Sequence, residues 1–340
     1  MRWTRGPLVA VLWAALAAAV SSPAVAKTVV VKCDKGDSIQ TALEDKADPL
    51  VIEVQGKCQE AVEVRRSGVT IRGTDPAIDG IVGPTGDDAL MVVADSTFSG
   101  PVAVQGQLSV NLENLAIENG DGGGLVAYEA NVSLTNVWIS GNAGVGARFS
   151  GGTFALLLDC RLENNGQAAI SVARVARIGC TDCEIHGNGG AAGIVDAAGE
   201  LFLETSNVSG PIGFRAFGAG RIDGFDTDVA ATTGPALRAD LESVINWETG
   251  TLDGRVVADT KSQINLFNVT QPAGAGTNFV LTDSTLTVAG SSLARPLDLQ
   301  TFANGVITDS TVGTVACATG ADVACQGTVA KTSSTCGLCP

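Results

Sequence analysis

Leu134-Thr-Asn-Val-Trp-Ile139-Ser-Gly-Asn142, Leu157-Leu-Asp-Cys-Arg-Leu162-Glu-Asn-Asn165, Cys180-Thr-Asp-Cys-Glu-Ile185-His-Gly-Asn188 and Leu203-Glu-Thr-Ser-Asn-Val208-Ser-Gly-Pro211 are four copies of one short pattern. The apolar anchors Ile139, Leu162, Ile185 and Val208 recur every 23 residues, and Asn142, Asn165 and Asn188 keep the same step. A further copy, Leu112-Glu-Asn-Leu-Ala-Ile117, precedes them with a step of 22. A fixed period in this range implies a solenoid, because a unit this small buries its apolar face only by stacking on its neighbours.

Two solenoids share the pattern, the leucine-rich repeat and the parallel β-helix, and the residues after the Asn separate them. A leucine-rich repeat continues into helix or 3-10 turns. Here a second short alternating run follows, as in Gly146-Ala-Arg-Phe149 and Ala169-Ile-Ser-Val172, and a third closes the unit, as in Thr153-Phe-Ala-Leu156 and Glu200-Leu-Phe-Leu203. Three runs of period-two apolarity separated by Gly and Asn read as three strands per coil. The spacing loosens towards the C-terminus, where Ile222-Asp-Gly-Phe225, Ile245-Asn-Trp247, Ile264-Asn-Leu-Phe267, Leu281-Thr-Asp-Ser-Thr-Leu286 and Val306-Ile-Thr-Asp-Ser-Thr-Val312 read as further coils. The expected fold is all-β, a right-handed parallel β-helix of about ten or eleven coils with a short N-terminal capping helix.

The two ends carry different signals. Residues 1–26 read as a secretory signal peptide, with Arg2 and Arg5, the apolar run Leu8 to Val20, and the small-residue site Ala24-Val-Ala26. No later stretch is long enough to span a bilayer. Loss of Arg2 and Arg5 with the peptide takes the formal charge from −15 to −17, which argues against nucleic acid as a partner. Asp37-Ser38 followed by Ile39, Ala42 and Leu43 reads as a helix start about eight residues long that covers the open first coil. The stretch from Asp37-Ser-Ile-Gln-Thr-Ala-Leu43 to Val69-Thr-Ile-Arg-Gly73 resembles the opening of secreted pectate-lyase-like right-handed β-helix proteins. With the repeats, that resemblance spans nearly the whole mature chain, and it implies fold rather than chemistry. The chain thus divides into residues 1–26 (signal peptide), 27–68 (cap and first strands), 69–315 (β-helix) and 316–340 (a Cys-containing segment).

Nine cysteines in an exported chain favour disulfides. Cys33 and Cys58 each follow a strand-like run near the cap and are paired first. Cys317 with Cys325 and Cys336 with Cys339 are C-terminal pairings, with swapped connectivities equally consistent. Cys180 and Cys183 fall in the inward columns of Leu134/Leu157 and Val137/Cys160, so the expectation is buried, inert thiols rather than a metal or redox site, with a Cys160–Cys183 bridge as the alternative. The odd count leaves a buried thiol among Cys160, Cys180 and Cys183.

Strand alternation also places the outward side chains. One column reads Ala116, Trp138, Arg161, Glu184, Asn207, and the other Glu118, Ser140, Glu163, His186, Ser209. Trp138, Arg161, Glu163, Glu184 and His186, the single His, then share one patch suited to a sugar: an aromatic platform with hydrogen-bonding and charged groups beside it. Arg161–Glu184 and Glu163–His186 also fit the ordinary cross-strand pairs of a solvated sheet face. The columns Asn114, Asn136, Asp159, Asp182, Thr205 and Asn142, Asn165, Asn188 read as structural turn residues, the second as a side-chain ladder.

Relatives of the resembled fold include polysaccharide lyases, glycoside hydrolases and esterases, but their constellations are missing from this sequence. Polygalacturonase-like Asn-Thr-Asp, Gly-His-Gly and Arg-Ile-Lys motifs are absent; His186 sits in Ile-His-Gly, and Arg221-Ile-Asp223 is the nearest basic match. Arg174, Arg177 and Arg215 are available as lyase-like bases, but no dense acidic cluster accompanies them. Gly86-Asp87-Asp88 holds the one adjacent Asp pair. The reading is a secreted, non-catalytic surface or binding protein with a polysaccharide or cell-surface glycan as ligand and no cofactor or metal. A divergent polysaccharide lyase or glycoside hydrolase is the rival, because Arg161, Glu163 and Glu184 still offer a carboxylate–Arg pair. A rigid extracellular spacer is the third reading.

Overall fold

The structure, a computed structural model, describes residues 26–84, 90–93, 96–274, 279–301, 303–327, 329–330 and 336. All of the expected signal peptide but Ala26, the Gly86-Asp87-Asp88 stretch and Cys339 lie outside the described residues. The chain winds into an all-β parallel solenoid of about eleven turns. One face stacks 14 strands in a single sheet, from Lys27–Lys32 to Asp322–Gln326, and the other two faces share a 19-stranded sheet joined through the long strand Asp228–Ala239. The interval from Lys32 to Leu50 carries helix instead of two further strands. The stacked strands therefore begin before residue 69 and continue past residue 315.

A middle coil shows why these residues take this path. Phe154–Leu158 lies on the first face, Arg161–Glu163 on the second and Ile170–Val172 on the third. Each pairs in parallel with the equivalent strand one coil away. Ile117, Ile139, Leu162, Ile185 and Val208 stand in register in one inward column, all at 0–1% exposure. The backbone turns between the first and second faces at Asn114, Asn136, Asp159, Asp182 and Thr205, where φ lies between 47° and 54°. Asn and Asp tolerate this left-handed conformation better than most residues. The same corner continues at Asp226, Thr249, Asn268, Gly290 and Asp309, all with positive φ. Each corner amide donates to a carbonyl one coil on, for example Asp159 N to Thr181 O at 3.1 Å.

The bend after the second face is a buried polar ladder. Asn142 Nδ2 donates to Asn165 Oδ1 and Asn165 Nδ2 to Asn188 Oδ1, both at 2.9 Å. The same amide groups donate to the Ile117 and Ile139 carbonyls, and the oxygens of Asn165 and Asn188 accept from backbone amides one coil back. Nearer the C-terminus, Trp247 fills the core against Phe214, with ring centroids 5.7 Å apart and its Nε1 donating to Thr227 O at 3.2 Å. Gly224 makes that possible, since a Cβ there would sit 2.5 Å from the indole.

Two expectations change. The capping helix is Ile39–Ala42, four residues instead of eight. Ser38 caps it, and Glu60 accepts from the Ile39 and Gln40 amides, but the chain must then reach the strand at Leu50. Cys180 and Cys183 are not thiols but a disulfide, formed across the left-handed corner at Asp182, where both point inward with Cα atoms 5.9 Å apart. Cys160 is the buried free thiol, donating to the Leu134 and Leu158 carbonyls. At the C-terminus Cys317 bonds Cys336, one of the swapped connectivities left open by the sequence, and Cys325 is also disulfide-bonded. Cys33 and Cys58 form a disulfide beside the cap.

Candidate functional site

The patch of outward residues lies on the second face just past the left-handed corner. Register pairing sets Trp138 beside Arg161 and Arg161 beside Glu184, and on the other column Ser140, Glu163, His186 and Ser209 in turn. Ala116, placed outward from its column, is instead fully buried. The Arg161 guanidinium stands 5.4 Å from the Trp138 ring centroid, a cation–π distance. It also binds Glu163 Oε2 at 2.9 Å and lies 3.8 Å from Glu184 Oε2. His186 Nδ1 is 2.9 Å from Ser209 Oγ, and its Nε2 lies 4.0 Å from Glu184.

Two side chains join this patch that spacing assigned to the corner alone. Asp159 and Asp182 are exposed and, with Trp138, Cys160, Arg161 and Glu184, line a shallow cleft of about 200 Å³. Their place was legible from the repeat, because each stands two residues before Arg161 or Glu184; their turn role masked it. The floor is therefore one aromatic ring and one guanidinium rimmed by carboxylates. Such a surface suits ring stacking and hydroxyl hydrogen bonding, and it repels polyanions. Glu163 and His186 lie beside the cleft rather than in it.

Proton-transfer chemistry asks for a carboxyl whose pKa is displaced upward. Among the described residues that group is Asp196, raised by burial against the opposing pull of Arg174. Its Oδ1 is buried without a hydrogen-bond partner, and it sits after the third-face strand Ala191–Val195, not in the patch. No group of three or more His, Cys, Asp or Glu side chains is arranged to hold a metal ion among the described residues. Nor is any helix there long and apolar enough to cross a membrane.

Residues 53–208 match the family model described as a right-handed β-helix region. The sequence matches no curated protein. Among solved structures, the surface adhesin PfbA of Streptococcus pneumoniae is similar at TM-score 0.51 and 8% identity, over 88% of this chain and 91% of that one. The A-module of mannuronan C-5 epimerase AlgE4 from Azotobacter vinelandii gives 0.48 and 10%, over 91% and 96%. The Siphovirus 9NA tailspike receptor binding domain gives 0.44 and 11%, over 91% and 77%. At such identities the likeness concerns fold alone. Repeat and strand register together give the chain a right-handed parallel β-helix fold, of which the family model covers residues 53–208.

Proposed function

We propose that this chain is an exported, non-catalytic surface protein that binds a neutral glycan on its second face. The observation that carries the reading is the cleft in which Trp138 lies beside Arg161 and is rimmed by Asp159, Asp182 and Glu184. Trp138 supplies the stacking platform; Arg161 donates to hydroxyls and the carboxylates accept from them. Glu163 orients Arg161 through its 2.9 Å contact, and His186 extends the polar rim. Disulfides at both ends of the rod fit an oxidising, extracellular setting. The fold of a pneumococcal surface adhesin is compatible with this role and carries nothing about the ligand.

Calorimetric titration with neutral and acidic oligosaccharides tests the proposal. Trp138→Ala should abolish binding of the neutral ligand with an unchanged melting temperature, because the ring does not belong to the core. Retained affinity in that variant discards the cleft. A second reading, a divergent carbohydrate-active enzyme, is favoured by the unpartnered, upward-shifted Asp196. Turnover of a polysaccharide that disappears in Asp196→Asn would put that reading first.

A further inference from the structure

The first face carries an outward surface that the glycan cleft does not use. On four successive strands the outward residues are Phe154, Leu156, Leu158; then Arg177, Gly179, Thr181; then Glu200, Phe202, Glu204; then Arg221, Asp223, Phe225. Phe154, Leu156, Leu158, Phe202 and Phe225 keep 37–44% of their surface exposed. Five such side chains expose on the order of 400 Å² of apolar surface, the scale at which a patch on a soluble protein marks a contact site. Gly179 forms a notch between Leu156 and Phe202, and a Cβ there would already touch Leu156 Cδ2 at 3.1 Å.

Knob and notch are neighbours in one column, and so are opposite charges in the next. Phe202 stands one coil from Gly179, and Glu200 one coil from Arg177, with which it pairs at 3.3 Å. A two-fold axis parallel to the strands, passing between Arg177–Thr181 and Glu200–Glu204, exchanges the members of each pair. It lays the partner's Phe202 over Gly179 and the partner's Glu200 over Arg177, and each contact occurs twice. The same rotation brings the partner's Phe225 over Leu158, the partner's Arg221 over the Phe154 ring, the partner's Glu204 over Thr181 and the partner's Asp223 to the edge at Leu156. Self-complementarity about a two-fold axis is the signature of an isologous dimer surface.

We infer that the first face is a homodimer interface in which two rods lie antiparallel, Phe202 of each seated over Gly179 of the other. The glycan cleft lies past the corner on the second face, so the dimer would present two clefts.

Sedimentation equilibrium of the purified chain at micromolar concentration tests this. The chain should be a dimer. Gly179→Leu, which fills the notch, and Arg177→Glu, which sets like charges across the interface, should each weaken the dimer at least about tenfold. The exchange Arg177→Glu with Glu200→Arg should restore it. Phe202→Ser, at an exposed side chain, provides a second route to the monomer should Gly179→Leu fail to fold. A chain that is monomeric throughout overturns the inference. So does a dimer indifferent to these substitutions, or a first face shielded from hydrogen exchange only when glycan is added.

Discussion

Asn165 shows at the scale of one residue how a polar side chain earns a place in an apolar rod. Its amide donates to Ile139 O and to Asn188 Oδ1, and its oxygen accepts from Asn142. At 1% exposure no water replaces those partners. Asn165→Ala should therefore destabilise by about 1–3 kcal/mol in urea unfolding while glycan affinity stays unchanged. Asp79 does a similar task near the cap, with consequences for pH. Burial works against its charged form, but hydrogen bonds from the Thr74 and Gly56 amides and the Thr74 hydroxyl prevail and hold its pKa below 3.8. The unfolded chain then binds this proton more readily than the folded one. Its contribution is full above pH 3.8 and is lost as the pH falls through the lower folded value. Asp79→Asn should be less stable than the parent chain at neutral pH, and the gap should shrink in urea midpoints measured below pH 3.8.

A strand of three residues cannot hold itself together, so at the scale of the element the stacking decides. Arg161–Glu163 has one inward side chain, Leu162, packed in the column of Ile139 and Ile185. Leu162→Asp would put a carboxylate with no cation into that column. The expected cost is about 3 kcal/mol or more, read as loss of cooperative melting or of soluble protein. The outward neighbours Arg161 and Glu163 tolerate polarity for the converse reason, since solvent covers them. The anchors, the three strands per coil and the corner column were all legible because a fixed step forces equivalent residues into one column. The capping helix was less so: its start is written in Ser38, but it stops after four residues, where the chain leaves for the strand at Leu50.

The molecule as a whole is a line of nearest neighbours. Fourteen stacked strands at about 4.8 Å give a rod of roughly 60 Å, and each coil meets only those above and below it. Opening should therefore start at an end and propagate. The Cys33–Cys58 disulfide fastens the N-terminal end. In Cys33→Ser/Cys58→Ser, amides of residues 27–72 should exchange with deuterium well before those of residues 131–208, while the intact chain should narrow that difference. Uniform exchange along the rod in the variant would contradict the nearest-neighbour account.

The 23-residue step alone gives the solenoid, the inward anchors and the placement of Trp138, Arg161, Glu163, Glu184 and His186 on the second face, because a fixed step converts sequence position into spatial position. It determined less where a contact joins residues the repeat treats as unlike. The Cys180–Cys183 disulfide needs the sharp corner at Asp182, and spacing shows two columns rather than their convergence. Cys317 meets Cys336 through a C-terminal path in which the step has already shortened and varied. Asp159 and Asp182 were masked by their role at the corner, and the cleft they line with Trp138 shows only in the folded chain. The notch at Gly179 likewise exists only between side chains one coil above and one coil below. Periodicity fixes which residues share a column, and tertiary structure alone fixes what meets across a corner, because that depends on how far the backbone turns there.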